Sequence, residues 1–197
     1  MIENKEMLGY AATFIGIIGY VPYFTNIFAN KTKPHAFSWF VWSLLTGVAF
    51  AAQFTENAGP GSWVTGLTAV ACFTIFLLAL VKGERRFPLF DWIALTVALF
   101  SIVLWWLTKN PMISIILITF IDAVGFLPTF RKGFHKPFEE TATTFALSAA
   151  KFVPALFALE TYTIATWLYP ASLVLMNGLF VAILLIRRQT SRERAGV

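Results

Sequence analysis

The 197-residue chain is 58% hydrophobic and only 13% charged, with a mean hydropathy of +0.72; a soluble domain carries roughly a quarter charged residues. This excludes an ordinary soluble globular protein and makes a bilayer the expected solvent. The net charge of +5 reads as basic loops on one membrane face rather than a nucleic-acid partner, and the lone Cys72 excludes an intramolecular disulfide or a cysteine metal site.

Seven apolar runs follow in chain order, over residues 8–28, 37–54, 63–81, 89–107, 112–130, 143–159 and 162–186. Several approach the ~20 residues a helix needs to cross. Their length and weak alternation predict helices, not barrel strands. The start, with Glu3, Lys5 and Glu6, lacks the basic opening of a cleavable signal. Turn chemistry separates the runs at 30–34, 57–61, 82–86 and 109–111, each holding glycine, proline or asparagine.

The chain also carries one signature twice. Thr13, Phe14, Ile15, Gly19, Pro22, Phe24 and Phe28 recur as Thr119, Phe120, Ile121, Gly125, Pro128, Phe130 and Phe134, all at an offset of 106 residues. A fixed offset reports duplicated architecture. The first run then matches the fifth, the second and third match the sixth and seventh, and the fourth is unpaired. The expected fold is an all-α integral membrane domain over residues 1–197. It comprises two parallel three-helix repeats (8–81 and 112–186), a linker helix (89–107) and a basic tail (187–197).

Basic residues support this count. Twelve of the fifteen lysines and arginines fall on one side of seven spans: Lys31, Lys33, Lys82, Arg85, Arg86, Arg131, Lys132, Lys136, Arg187, Arg188, Arg192 and Arg194. The opposite side holds Lys5 and Lys109, and Lys151 lies within a span. The bias places the N-terminus outside and the C-terminus in the cytoplasm, in a cell membrane.

Few residues inside the spans carry chemistry. Pro22 and Pro128 each remove an intrahelical hydrogen bond, giving either a static kink or a hinge. Asp122 and Lys151 are the charges well inside spans, at similar depth, with Asp122 about 13 Å from the cytoplasmic end. They read as a buried ion pair, a proton-coupling carboxylate or a site for a charged solute. Asn177 offers a carboxamide either to a neighbouring helix or to a solute. Trp42 is either part of an interfacial aromatic belt or a stacking platform, and Gln53 and Thr74 are further candidates for lining a pocket. His35 and His135, without paired cysteines or clustered carboxylates, make no zinc site. No nucleotide loop, nucleophile elbow or redox motif is visible, so neither an enzyme nor a cofactor is expected.

With these residues in place, the chain resembles the PQ-loop superfamily, which includes SWEET sugar transporters, lysosomal amino-acid exporters, KDEL receptors and Pnu-type vitamin transporters. The resemblance covers nearly the whole chain and rests on the 3+1+3 order, the outside N-terminus and the late prolines Pro22 and Pro128. Tyr23 and Thr129 stand where the name-giving glutamine would be. Pro154 stands in the sixth helix, where SWEET proteins also carry a proline; the second helix has none. The resemblance implies that Pro22 and Pro128 act as transport hinges and that Asn177, at its spacing from Pro128, contacts the solute. The expected function is a membrane carrier moving a small polar solute by alternating access, with a sugar the first guess. Trp42, Gln53, Thr74 and Asp122 are the other expected solute contacts. Its partners would be the solute and membrane lipids, with no oligomer needed to complete the pathway. The alternatives are a proton-coupled carrier of amino acids or vitamins, or a non-transporting receptor of the KDEL-receptor kind.

Overall fold

The computed structural model describes residues 2–30, 33–83, 89–135, 137–139 and 142–195. Residues 31–32, 84–88, 136 and 140–141, and the side chains of Pro128, Lys132, Arg192 and Arg194, lie outside the described residues; several of the basic loop positions and most of the 82–86 turn fall there. Among the described residues the chain is helical throughout. The seven helices are α1 (Ile2–Phe28), α2 (Ala36–Thr55), α3 (Trp63–Lys82), α4 (Leu89–Thr108), α5 (Pro111–His135), α6 (Ala142–Phe157) and α7 (Ile164–Ala195). Short 3-10 helices at Gly59–Ser62 and Pro137–Glu139 precede α3 and α6.

The turns follow the local chemistry. Asn30, Asn57 and Lys109 take left-handed φ values of 56°, 53° and 55° just past helix ends, the conformation that closes a helix and that asparagine tolerates best. The Asn110 side chain accepts the Met112 N–H at 2.9 Å and caps α5, whose first residue is Pro111. His35 caps α2, its Nδ1 facing the Ser38 hydroxyl at 2.8 Å. Three helices outrun the apolar runs, α5 among them, continuing five residues past residue 130 to His135. Helix α1 starts at Ile2, because Glu3, Lys5 and Glu6 are sound helix formers, and α7 continues through its charged end to Ala195.

Five helical segments are long and apolar enough to cross a bilayer: Glu3–Phe28, Ala36–Thr55, Gly59–Lys82, Pro111–His135 and Ile164–Ser191. Trp92–Thr108 and Ala142–Phe157 are apolar but shorter. Helix α6, with 16 residues, is about 24 Å long, under the ~30 Å hydrocarbon core. Outer faces are apolar. Met7, Tyr10, Phe14, Ile17 and Val21 form an exposed stripe on α1, and Val70, Phe73, Leu77 and Val81 form one on α3. Such stripes are ruinous in water and ordinary against lipid.

Packing brings the helices together in a definite pattern. Helix α3 packs on α1 and α2, and α7 packs on α5 and α6. Between these groups α1 meets α6 and α2 meets α5, while α4 lies against α5 and α2. Small residues permit close approach. Ala49, Ala52, Ala94 and Ala98 sit in the core shared by α2, α4, α5 and α7, and a Cβ added at Gly9 would stand 2.7 Å from Pro60 Cβ. A second core joins Ala12, Val64, Phe152 and Ala155, from α1, α3 and α6. Helix ends are tied by basic side chains on backbone carbonyls. Lys5 donates to Leu159 at 2.7 Å, Lys82 to Phe28 at 3.4 Å and Arg187 to Phe134 at 3.0 Å.

Candidate functional site

Lys151 organises the interior. Its neighbours on the buried face of α6 are Phe152 and Ala155, and it is itself 5% exposed. The stem passes over α1 at Gly16, where a Cβ would lie 3.7 Å from Lys151 Cδ. The ammonium donates to Thr68 Oγ1 at 3.1 Å on α3 and to the Tyr20 hydroxyl at 3.4 Å on α1. It also lies 4.6 Å from the Tyr20 ring centre and 5.0 Å from that of Phe152. Ring faces attract a cation, worth about 0.5–2 kcal/mol each depending on desolvation. Two hydroxyls and two rings hold the charge without neutralising it, and an ammonium has three donors. Thr68 still donates its own hydroxyl to Val64 O at 2.7 Å, so it presents a lone pair to the cation.

The expected Asp122–Lys151 ion pair does not form. No salt bridge joins them among the described residues, and the polar partners of Lys151 are Tyr20 and Thr68. The reason is which helices meet. Lys151 lies on α6 and reaches toward α1 and α3, whereas Asp122 lies on α5, which packs on α2 and α4; the two helices share α7 as a neighbour and do not pack extensively on each other. Equal depth did not imply a shared interface. Asp122 is 8% exposed, and its carboxylate has no hydrogen-bond partner among the described residues. Three helices, α6, α1 and α3, thus bring Lys151, Tyr20 and Thr68 together.

Thr65 Oγ1, one turn from Thr68, and Thr119 Oγ1, one turn from Asp122, are buried without a hydrogen-bond partner among the described residues, as are Gln53 Oε1 and Thr163 Oγ1. Buried polar atoms are ordinarily satisfied by protein groups or by ordered water.

The other expected site residues separate. Asn177 is 5% exposed, two turns beyond Tyr169 on the buried face of α7. Its Nδ2 donates to Leu173 O of its own helix at 2.8 Å, and Oδ1 has no partner among the described residues. Gln53 is a strut, with Nε2 donating to Thr166 O at 2.7 Å and Oε1 buried unpaired. It joins α2 to the start of α7 rather than reaching the charged cluster. Trp42 is 43% exposed and meets Trp39 edge-on at 5.1 Å, and Trp39 in turn donates to the Tyr23 hydroxyl at 3.2 Å. Thr74 is exposed beside Val70, Phe73 and Leu77, and its hydroxyl donates to Val70 O. It belongs to the outer apolar face of α3, not to the interior. Pro22 is an exposed residue within α1, and the Thr25 hydroxyl donates to its carbonyl at 2.9 Å. Pro128 falls within α5, its side chain outside the described residues.

Tyr20, Thr68, Thr65, Thr119 and Tyr169 escaped the sequence reading. Thr65, Thr68 and Cys72 recur at helical spacing on one side of α3, opposite the Val70–Phe73–Leu77 stripe, and that spacing was the available signal. Two shallow surface depressions occur elsewhere. One of about 490 Å³ lies against Tyr10, Phe14 and Ile17 on the outside of α1, and one of about 270 Å³ is lined by Glu56, Asn110 and Ile164. No three His, Cys, Asp or Glu side chains gather to hold a metal among the described residues. The chain matches no protein-family model, no curated protein and no solved structure.

Proposed function

We propose that this chain is an integral membrane carrier that moves a small polar solute by alternating access. The observation that carries the reading is the presence of two ionisable side chains buried in the interior. Neither Lys151 nor Asp122 has a counter-charge among the described residues, and Lys151 is held instead by the Tyr20 and Thr68 hydroxyls. Intramembrane charges are expensive and are held for solutes, ions or protons. A purely structural interior would replace them with apolar side chains at no loss of stability.

The helix packing supports a two-unit carrier. The pattern of α3 on α1 and α2 parallels that of α7 on α5 and α6, as does the meeting of α1 with α6 and α2 with α5. The repeat-related carbonyls of Phe28 and Phe134 each accept from a basic residue of the third helix of its group, Lys82 and Arg187. In this reading the units α1–α3 and α5–α7 rock against each other through the α1–α6 and α2–α5 interfaces. Pro22 and Pro128 act as hinges, and α4 serves as the linker. The charged region then opens to either face in turn. Asn177 Oδ1, free of intrahelical bonding, contributes a further acceptor. The basic bias of the loops sets the N-terminus outside and the C-terminus in the cytoplasm.

Liposomes reconstituted with the purified chain and exposed to labelled pools of sugars, amino acids and vitamins test the reading. Saturable uptake of a member of one pool is expected. Tight binding without uptake would make the chain a receptor instead.

A further inference from the structure

We propose that the 3-10 segment Gly59–Ser62 and the turn over residues 158–166 form a latch that shuts the outer face, so that this structure is the outward-closed state of the carrier. This rests on the carrier reading and adds the gate through which that carrier would open.

The hydrogen bonds sort by whether they join the two units. On the face that carries Lys5, four of them cross from the first unit to the second. Lys5 Nζ donates to Leu159 O at 2.7 Å, and Gln53 Nε2 donates to Thr166 O at 2.7 Å. The Glu160 N–H donates to Ala58 O at 3.0 Å, and the Thr161 hydroxyl donates to Asn57 O at 3.1 Å. On the opposite face, the basic ties among the described residues each stay inside one unit. Lys82 to Phe28 joins α3 to α1, Arg187 to Phe134 joins α7 to α5, and Arg188 to Pro137 joins α7 to the 3-10 helix before α6. Rocking preserves bonds inside a rigid unit and breaks bonds between units. The Lys151 bonds to Tyr20 and Thr68 also cross, but deep inside the spans, where a pivot moves least. Opening the outer face therefore costs the four outer bonds, whereas the ties at the inner face survive the motion.

Backbone packing at this seam is equally close. A Cβ added at Gly61 would lie 2.6 Å from Leu159 Cδ2, 2.7 Å from Ala155 O and 2.8 Å from Leu159 N. Two of those three atoms are backbone, so the end of α6 could make room only by moving away. Gly59, at φ 63°, seats against Glu160, whose Cδ would stand 2.5 Å from an added Cβ. Glycine at both positions lets the 3-10 segment rest directly on the second unit. Ala58, Leu159 and Thr166 are fully buried there, so the seat excludes water. The parts are individually weak, because water replaces each hydrogen bond as the face opens. Such a latch biases a population toward the closed state without locking it.

The test uses the full chain with Cys72→Ser as background. In lipid nanodiscs, Ala58→Cys places a thiol inside the latch, and a maleimide too polar to enter the bilayer should label it slowly. Adding Gly61→Ala, which wedges the seam, should speed labelling about tenfold by shifting the closed–open balance. Lys5→Met deletes one bond, keeps the aliphatic stem and should speed labelling by a smaller factor; it carries the comparison if the alanine unfolds the chain. In liposomes, Ala58→Cys with Glu160→Cys sets two thiols on residues joined by a backbone hydrogen bond, near enough for a disulfide. Oxidant should link them and abolish uptake of labelled sugar, amino-acid and vitamin pools, and reductant should restore it. Labelling unchanged in Lys5→Met and in folded Gly61→Ala, a disulfide that never forms, or full uptake by the linked chain would each overturn the latch and leave the carrier. A link and labelling shifts as stated, in a chain that takes up nothing even when unlinked, would leave the latch and overturn the carrier.

Discussion

Lys151 sets its ammonium 3.1 Å from Thr68 Oγ1, so that a charge on α6 rests on a hydroxyl of α3, with no ion pair to a carboxylate among the described residues. Holding a cation this way stabilises its position more than it stabilises the protein. The Thr68 hydroxyl keeps its own intrahelical bond to Val64 whether or not the lysine is present.

Lys151→Met should therefore raise stability while abolishing transport. An unpaired buried ammonium carries a desolvation penalty that an apolar side chain of similar shape does not. Uptake and thermal melts on the same preparation check both halves. A clear drop in melting temperature would mean that the ammonium is a structural bond.

Asn177→Ala should weaken solute binding ten- to hundred-fold, corresponding to roughly 1.4–2.8 kcal/mol. Its single bond to Leu173 is local to α7, so stability should change by less than about 1 kcal/mol. Solute-induced melting shifts measured against concentration read the affinity, and the solute-free melt reads the scaffold.

Much of this was visible in the chain before folding. The apolar runs placed the seven helices, and Asn30, Asn57 and the Lys109–Pro111 stretch marked where they end. Two things were not legible. Period alone gives depth and face, so Asp122 and Lys151 looked like partners when the missing quantity was which helix each helix touches. Thr74 was misjudged for the opposite reason, since its alignment with Val70, Phe73 and Leu77 already put it on the lipid side. Tyr20 escaped because an aromatic in an apolar helix is ordinarily packing, and its polar use depends on a lysine 131 positions away.

Gly9→Ala tests the close packing of α1 on the 3-10 helix before α3. The added methyl would lie 2.7 Å from Pro60 Cβ and 2.9 Å from its carbonyl oxygen. Overpacking of this kind costs about 1–3 kcal/mol, read as a lowered melting temperature. An unchanged melt would show that α1 can slide away from Pro60 freely.

Pro22→Ala and Pro128→Ala, which restore an intrahelical donor, should each slow uptake several-fold while solute affinity stays the same. Stiffening a hinge changes the rate of rocking and not the contacts at the site. Equal loss of affinity and rate in both variants would place the prolines in packing instead.

Counterflow separates a carrier from a receptor or an open pore most directly. Liposomes holding only this chain are preloaded with an excess of the unlabelled solute that the uptake screen identifies, and diluted into a trace of the same labelled solute. A site that opens alternately to each side drives the label inward to a transient overshoot above its outside concentration, and Lys151→Met removes the overshoot. Label that binds to the wild-type chain yet never exceeds simple equilibration would contradict alternating access about this buried charged region.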